Sequence, residues 1–390
     1  MGDQADAGEG TGLEQVTGAS VWQRYFLPSM VFMSVVIGGG YATGRELAEF
    51  FMPAGPIGGL LGMTVAAAVW SVVFALSLEL ARLGRTFDYR TFFKELLGPG
   101  WIAFEIVYLA LLVLVLAVLG AATGEMLASA AGAPTWVGTA LFIVLIGVLI
   151  GVGPAAIERF FSWWGVLLYV GYLVFFAMCM LRFGSPVAAA IAGADAQAGI
   201  PASTWISGGL AYAGYNISVA PALLFCAAYQ TRRRETMIAG LLAGPVAMLP
   251  GMLFFVAMLA RYPQIADAPI PLQVLLEALQ APWLSVAMQV VIFGTLVQTG
   301  LGVIHGFNER VAASLPTELK PVTVRVVRVA ISLGLLLLSI VLATRVGLIS
   351  LIAKGYGWSG WAILAIYVVP LLTVGAWKIW GRRSGTPAAA

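Results

Sequence analysis

Ten runs of roughly twenty or more predominantly apolar residues recur along this chain, near 24–52, 57–82, 101–129, 135–153, 159–182, 203–229, 236–260, 284–312, 323–343 and 357–380. A helix rises about 1.5 Å per residue, so about 20 apolar residues cross a hydrocarbon layer roughly 30 Å thick with every backbone amide bonded internally. Charged residues make up only 10% of the sequence and hydrophobic residues 61%, whereas an average soluble domain carries about 25% charge. Such a chain cannot clothe a globular surface in water, which excludes a soluble enzyme and makes membrane lipid the partner of its outer face. The runs predict an all-α polytopic membrane protein with ten transmembrane helices.

Charge placement gives the orientation. With the amino terminus inside, the inside connections and ends hold Arg24, Arg82, Arg85, Arg90, Lys94, Arg159, Arg232, Arg233, Arg234, Arg310, Lys320, Arg325, Arg328, Lys378, Arg382 and Arg383, or 16 of the 21 basic residues. Arg45, Arg182, Arg261, Arg345 and Lys354 remain for the other side. The positive-inside rule then places both termini in the cytoplasm. Residues 1–20, with Asp3, Asp6, Glu9 and Glu14 among small residues, read as a disordered cytoplasmic tail, and 381–390 as a second tail. Two connections carry helical patterns of their own: Asp88 to Leu97, ended by Gly98-Pro99-Gly100, and Pro271 to Gln280.

Other function classes are thinly supported. A net charge of +3 gives no nucleic-acid footprint. Cys179 and Cys226 lie far apart in apolar runs, which suits small core residues better than a disulfide or a thiolate metal site, and His305 is the only histidine. No GxxxxGK[ST] phosphate loop is present, so nothing in the chain binds ATP by that motif.

The first run is interrupted. Ile37-Gly38-Gly39-Gly40-Tyr41-Ala42-Thr43-Gly44 places three adjacent glycines, each about 1 kcal/mol worse than alanine inside a helix, about 20 Å from Phe26 along the helix axis. Irregular backbone at that depth must line a protein cavity. The sixth run carries a second interruption: Gly208-Gly209, then Tyr212-Ala213-Gly214-Tyr215-Asn216-Ile217-Ser218, then Pro221. First and sixth are corresponding members of two five-helix halves, about 24–182 and 203–380. An odd number of spans per half forces opposite orientations, so the two halves read as a 5+5 inverted repeat with discontinuous helices 1 and 6 at a shared binding site. Close helix packing is the alternative use of such glycines, as expected for Gly55/Gly59, Gly58/Gly62 and Gly147/Gly151.

The segment Gly38 to Glu46, GGGYATGRE, resembles the first-helix motif GAGFASGQE of the YkvI-like bacterial membrane proteins, and Lys354-Gly355-Tyr356-Gly357 before the tenth run is similar to that family too. The family resembles the amino acid, polyamine and organocation superfamily. That resemblance implies a leucine transporter-like fold in a bacterial inner membrane. Gly39 and Arg45 depart from the motif, which has alanine and glutamine there.

The amides of Gly38, Gly39, Gly40, Tyr41 and Thr43, at the start of the outer half of the first helix, suit a carboxylate. The opposing carbonyls near Val36 and Ile37 suit a cation. Tyr41, Tyr212, Gly214, Tyr215 and Asn216 flank the interruptions and Gln298 lies at mid-depth in the eighth run, giving the mixed wall of a small-molecule pocket, or else aromatic packing. Superfamily resemblance implies a sodium site between the first and eighth helices, onto which Thr295 and Thr299 carry over; each hydroxyl could instead bond its own i−4 carbonyl. Charges in spans need partners. Glu46 could couple protons, or Arg45 could pair a carboxylate at an outer rim, while Arg24 and Glu309 could form an inner gate or a surface pair.

The expected function is a secondary transporter that moves a small solute, an amino acid or related organic acid, by alternating access coupled to Na+ or H+. A gated channel is the runner-up. A membrane enzyme would need catalytic groups converging at one depth, and the in-span carboxylates are scattered.

Overall fold

The computed structural model describes residues 18–152, 154–193, 200–312 and 321–384. Helices account for almost all of these residues, and no strand occurs among them. The first apolar run is three short helices: α1 (Leu27–Val36), α2 (Gly39–Thr43) and α3 (Arg45–Phe51). Pro28 sits in the first turn of α1, where its missing N–H has no partner to lose. The chain leaves the helix at Ile37 (ψ 50°) and Gly38 (φ −95°, ψ −157°), then turns again at Gly44, whose φ of +81° lies in the left-handed region that favours glycine. Gly39 and Gly40, expected to unwind, are helical in α2.

α4 (Gly55–Gly84) follows, and then α5 (Tyr89–Leu97), an amphipathic helix whose N-cap Asp88 accepts from the Thr91 amide at 3.0 Å. α5 ends in a tight turn at Gly98–Gly100, as the sequence indicates. Next come α6 (Trp101–Ala131), α7 (Thr135–Val152) and α8 (Pro154–Ala192). Pro186 inside α8 has no N–H and crowds the carbonyl four residues back, which accounts for the non-helical Phe183 (φ −123°, ψ 15°) beside it.

The sixth run is also interrupted. α9 (Ala202–Ile217) stops, and short, tightly wound segments at Ala220–Ala222 and Leu224–Tyr229 continue at 46° to it. Then come α10 (Arg233–Met258), the short α11 (Pro271–Leu279), α12 (Pro282–Ala312), α13 (Pro321–Val346) and α14 (348–384), in which wide π-turns alternate with α-turns.

Among the described residues six helices are long and apolar enough to cross a bilayer, or seven if the bent pair at 202–229 is one span. The sequence suggests ten. The first run is cut into pieces of ten, five and seven residues, and the described apolar parts of α7 and α13 are Thr135–Leu149 and Ala330–Val346.

α4 and α10 lie backbone against backbone: a Cβ on Gly240 would meet the Ala75 amide nitrogen at 2.2 Å, and one on Gly244 the Ala67 carbonyl at 2.0 Å. Small residues four apart permit that approach. Gly59 and Gly62 also pack closely, against Phe255 and the Trp205 carbonyl, whereas no described residue lies within 4 Å of the place a Cβ on Gly147 would occupy. Buried aromatic residues, Phe32, Trp70, Phe74 and Tyr212 among them, fill the space between α1, α4 and α9. Val166, Leu173, Leu181, Val286 and Val290 point outward, as a lipid-facing surface requires.

Candidate functional site

The two interruptions open on one cavity of about 980 Å³, at the large end of the range of small-molecule pockets. α1 contributes Ser34, Val35 and Val36, with Ile37 and Gly38 from the break. Tyr215 and Asn216 end α9, and Ser218, Val219, Pro221 and Ala222 continue the wall beyond it. α12 presents Thr295, Gln298, Thr299, Gly302 and Val303, and Glu46 of α3 and Tyr356 of α14 complete the inner part. The cavity reaches Asp88, Tyr89 and Arg90 at the start of α5, where Asp88 is exposed.

Of the candidate substrate residues, Gly38, Tyr215, Asn216 and Gln298 line this space. Asn216 is buried and donates to the Tyr212 carbonyl at 3.0 Å, leaving its amide oxygen free to accept. Gln298 is half-buried. Tyr41 does not reach the cavity: its ring turns to α10, where the hydroxyl donates to the Ala247 carbonyl at 3.3 Å and lies 2.6 Å from where a Cβ on Gly251 would be. Tyr212 packs among Phe50, Phe51, Trp70 and Tyr215, away from the cavity wall. Among the described residues its buried hydroxyl makes no hydrogen bond. Gly214 is the close-packing alternative: a Cβ there would lie 2.2 Å from the Gly360 carbonyl oxygen on α14. Thr43 is fully buried and accepts from the Arg45 amide at 3.4 Å. The surroundings of Gly39 and Gly40 lie outside the described residues.

The cation candidates are brought together. Val36, Ile37, Thr295 and Thr299 all face the cavity, and a Cβ on Gly38 would meet Thr299 at 3.1 Å, so the end of α1 and the middle of α12 are in contact. Thr295 donates to the Val291 carbonyl at 2.9 Å and Thr299 to the Thr295 carbonyl at 3.0 Å, the i−4 bonds the sequence left open. A hydroxyl that donates its proton in this way keeps its lone pairs, so back-bonding and cation coordination are compatible.

The charged candidates separate into three arrangements. Arg45 is buried and turned from the cavity: its guanidinium donates to the carbonyls of Ala266 (2.6 Å) and Ala268 (3.0 Å) and to Glu49 (2.6 Å). Glu46 is buried on the cavity wall and accepts from the Tyr215 hydroxyl. Arg24 pairs with Glu235 at 3.2 Å, and its carbonyl accepts from Gln230 at 2.8 Å. The side chain of Glu309, the expected partner of Arg24, lies outside the described residues, as does that of His305. Elsewhere Glu79 is held by Arg82 (2.7 and 2.9 Å) and the Thr236 hydroxyl (2.7 Å), which discharges the cost of its burial. At the cavity end, partial burial pushes the Asp88 carboxyl up, but the Thr91 hydroxyl and amide outweigh that and hold it below its ordinary value.

Sequence reasoning missed Tyr108, Leu111, Leu112 and Val115 on α6 and Leu168 and Tyr169 on α8. They sit in uniformly apolar runs, where only the tyrosines give any cue.

No protein-family model matches the chain, and no curated protein does. Solved structures do. The fold is similar to that of a Na+-coupled sialic acid symporter in a substrate-bound outward-open state, with TM-score 0.60 and 14% identity over 93% of this chain and 83% of the other. It is similar also to a manganese transporter of Eremococcus coleocola, with TM-score 0.50 and 15% identity over 95% of this chain and 81% of that one. The chain is therefore an integral membrane protein with an all-helical fold found in transporters, which are not enzymes.

Proposed function

We propose that this protein is a secondary active transporter that carries a small organic solute, an amino acid or a related acid, by alternating access. One observation carries the reading: two interrupted helical segments, far apart in sequence, open on a single cavity that reaches the exposed Asp88 at one end. Next to Glu46 of the cavity wall, Arg45 ties α3 to the 264–268 segment, and the Gly44 turn packs on Phe254 and Pro271. A channel needs a continuous path, whereas a carrier binds its solute in a cavity between interrupted helices.

In this reading ten spans form two inverted five-helix repeats, about 24–182 and 203–380, in a bacterial inner membrane with both ends cytoplasmic, so the cavity faces the cytoplasm. The fragment resembling the YkvI-like motif supports it. Gly38, Tyr215, Asn216 and Gln298 contact the solute. α2 has five residues and hence a weak dipole, so the solute's carboxylate is held by side-chain donors such as Gln298 more than by the amides of the break. Val36, Ile37, Thr295 and Thr299 offer oxygens to Na+.

Proteoliposomes with imposed Na+ or H+ gradients, screened with pooled amino acids and organic acids, test this. Saturable, gradient-dependent uptake is expected. Nonsaturating flux that ignores the gradient would instead identify a channel.

A further inference from the structure

Among the described residues two carboxylates line the cavity, and they differ in setting. Asp88 is exposed at the end, whereas Glu46 is buried, with 4% of its surface accessible. Among the described residues no lysine, arginine or histidine forms an ion pair with Glu46, because its neighbour Arg45 is committed to Ala266, Ala268 and Glu49. Its donors are neutral: the Tyr215 hydroxyl at the end of α9 and the Tyr41 amide in α2. The titratable groups that face it from each packed element are tyrosines, namely Tyr41 on α2, Tyr212 and Tyr215 on α9, and Tyr356 on α14. Tyr356 stacks on Tyr215 with centroids 4.4 Å apart and planes at 15°. From α12 the polar wall is Thr295, Gln298 and Thr299, none of which titrates.

A buried carboxylate that lacks a counter-charge is costly when ionised. It is relieved by a cation or by a proton, and among the described residues the one basic side chain of the cavity wall, Arg90, lies with Asp88 at the start of α5. Glu46 also joins the two interrupted segments, since its donors belong to α2 and α9. A change in its charge therefore alters the contact across which those segments move.

We propose that Glu46 carries the coupling proton of the transport cycle and that Tyr215 is its positioning residue. The assignment rests on the carrier reading above. The carboxylate takes a proton from water filling the open cavity, stays a neutral acid while the solute is enclosed, and returns the proton to water on the opposite side, regenerating the carboxylate. No other bond forms or breaks. The neutral acid also removes the like-charge repulsion that Glu46 would exert on a solute carboxylate, so proton and acid travel together.

Two experiments on the full-length protein test this. The first needs no solute. Infrared difference spectra of the purified protein, titrated with pH, should contain the C=O stretch of a protonated carboxylic acid that is lost in Glu46→Gln, and in Tyr215→Phe that band should persist to higher pH, because the carboxylate has lost a donor. Identical spectra for wild type and Glu46→Gln across the titration overturn the proposal whatever the protein transports. The second uses proteoliposomes loaded with a pH dye and challenged with the common amino acids one at a time. Solute-driven acidification is expected in wild type and absent in Glu46→Gln, whose infrared amide bands should match those of wild type and so report an intact fold. Acidification unchanged in Glu46→Gln, or sodium-driven uptake without proton movement, overturns the proton assignment and leaves the carrier intact. Nonsaturating flux in both proteins removes the carrier reading and this inference with it.

Discussion

Gly44 holds the turn between α2 and α3 for two separable reasons, and replacing it with alanine measures both. Its φ is +81°, where an L side chain costs about 1–2 kcal/mol. A Cβ would also lie 2.8 Å from Cζ of Phe254, 3.1 Å from its Cε1 and 3.2 Å from Cβ of Pro271, all inside ordinary contact distance. Phe254 cannot yield freely: it is buried and packed edgewise on Phe175, with centroids 5.6 Å apart and planes at 88°. Forcing a methyl group into such a site costs about 1–3 kcal/mol, so Gly44→Ala should lose about 2–5 kcal/mol in all. Gly132, the cap of α6, is the matched control, with φ +65° and nothing within 4 Å of the place a Cβ would occupy. Gly132→Ala should lose only the backbone part, about 1–2 kcal/mol. Equilibrium unfolding in detergent micelles, followed by tryptophan fluorescence, reads the difference. Solute uptake should fall in Gly44→Ala, because that turn aims Arg45 and Glu46, and should survive in Gly132→Ala. Equal stability loss in the two variants would refute the claim that packing, and not backbone conformation alone, fixes this turn.

Three further outcomes follow from the site. Thr295→Val with Thr299→Val should weaken any sodium dependence of uptake while costing little stability, since each hydroxyl bonds only within its own helix; an unchanged sodium response would assign both to packing. Tyr212→Phe removes a buried hydroxyl that makes no hydrogen bond among the described residues, so the melting temperature in detergent should hold or rise, and a loss of more than about 1 kcal/mol would show that the hydroxyl is bonded after all. Asp88→Ala should destabilise α5 by about 1 kcal/mol through loss of the cap. Because hydrogen bonds hold the Asp88 carboxyl below its ordinary value, the cap contributes fully above about pH 4 and is lost as pH falls through the lowered value; a wild-type to variant difference that persists at more acidic pH would contradict this.

The interruptions were legible because their cause is local. Three adjacent glycines, or a Gly-rich stretch ending in Ser218 and Pro221, weaken a helix whatever surrounds them. Which residue leaves the helix is decided at longer range. Gly39 and Gly40 stay helical, while Ile37, Gly38 and Gly44 turn, where Gly38 meets Thr299 and Gly44 meets Phe254 and Pro271, all more than 200 positions away. The tyrosines show the same limit. Tyr41 and Tyr215 look equivalent beside their interruptions, yet Tyr41 follows the room left by Gly251 and Ala247 on α10, and Tyr215 follows Glu46 into the cavity. Arg45 was legible as a residue needing a partner; its carbonyl acceptors in the 264–268 segment carry no side-chain signature.

Glycines that read alike in the sequence serve opposite mechanical ends. Gly240 and Gly244 lock α4 to α10, and Gly214 with Gly360 locks α9 to α14, through backbone contacts that leave no room for sliding. Gly38 and Gly44 instead divide the first segment into pieces joined by turns. Close-packed interfaces are not continuously deformable, so displacement concentrates where contacts are few and made by side chains. Beside the cavity those contacts include the bonds from Arg45 to Ala266 and Ala268, and on its wall the bond from Tyr215 to Glu46. In the carrier reading, moving α3 while keeping α4 on α10 requires it to let go of the 264–268 segment, and the charge on Glu46, one residue from Arg45, sits where it can bias that release.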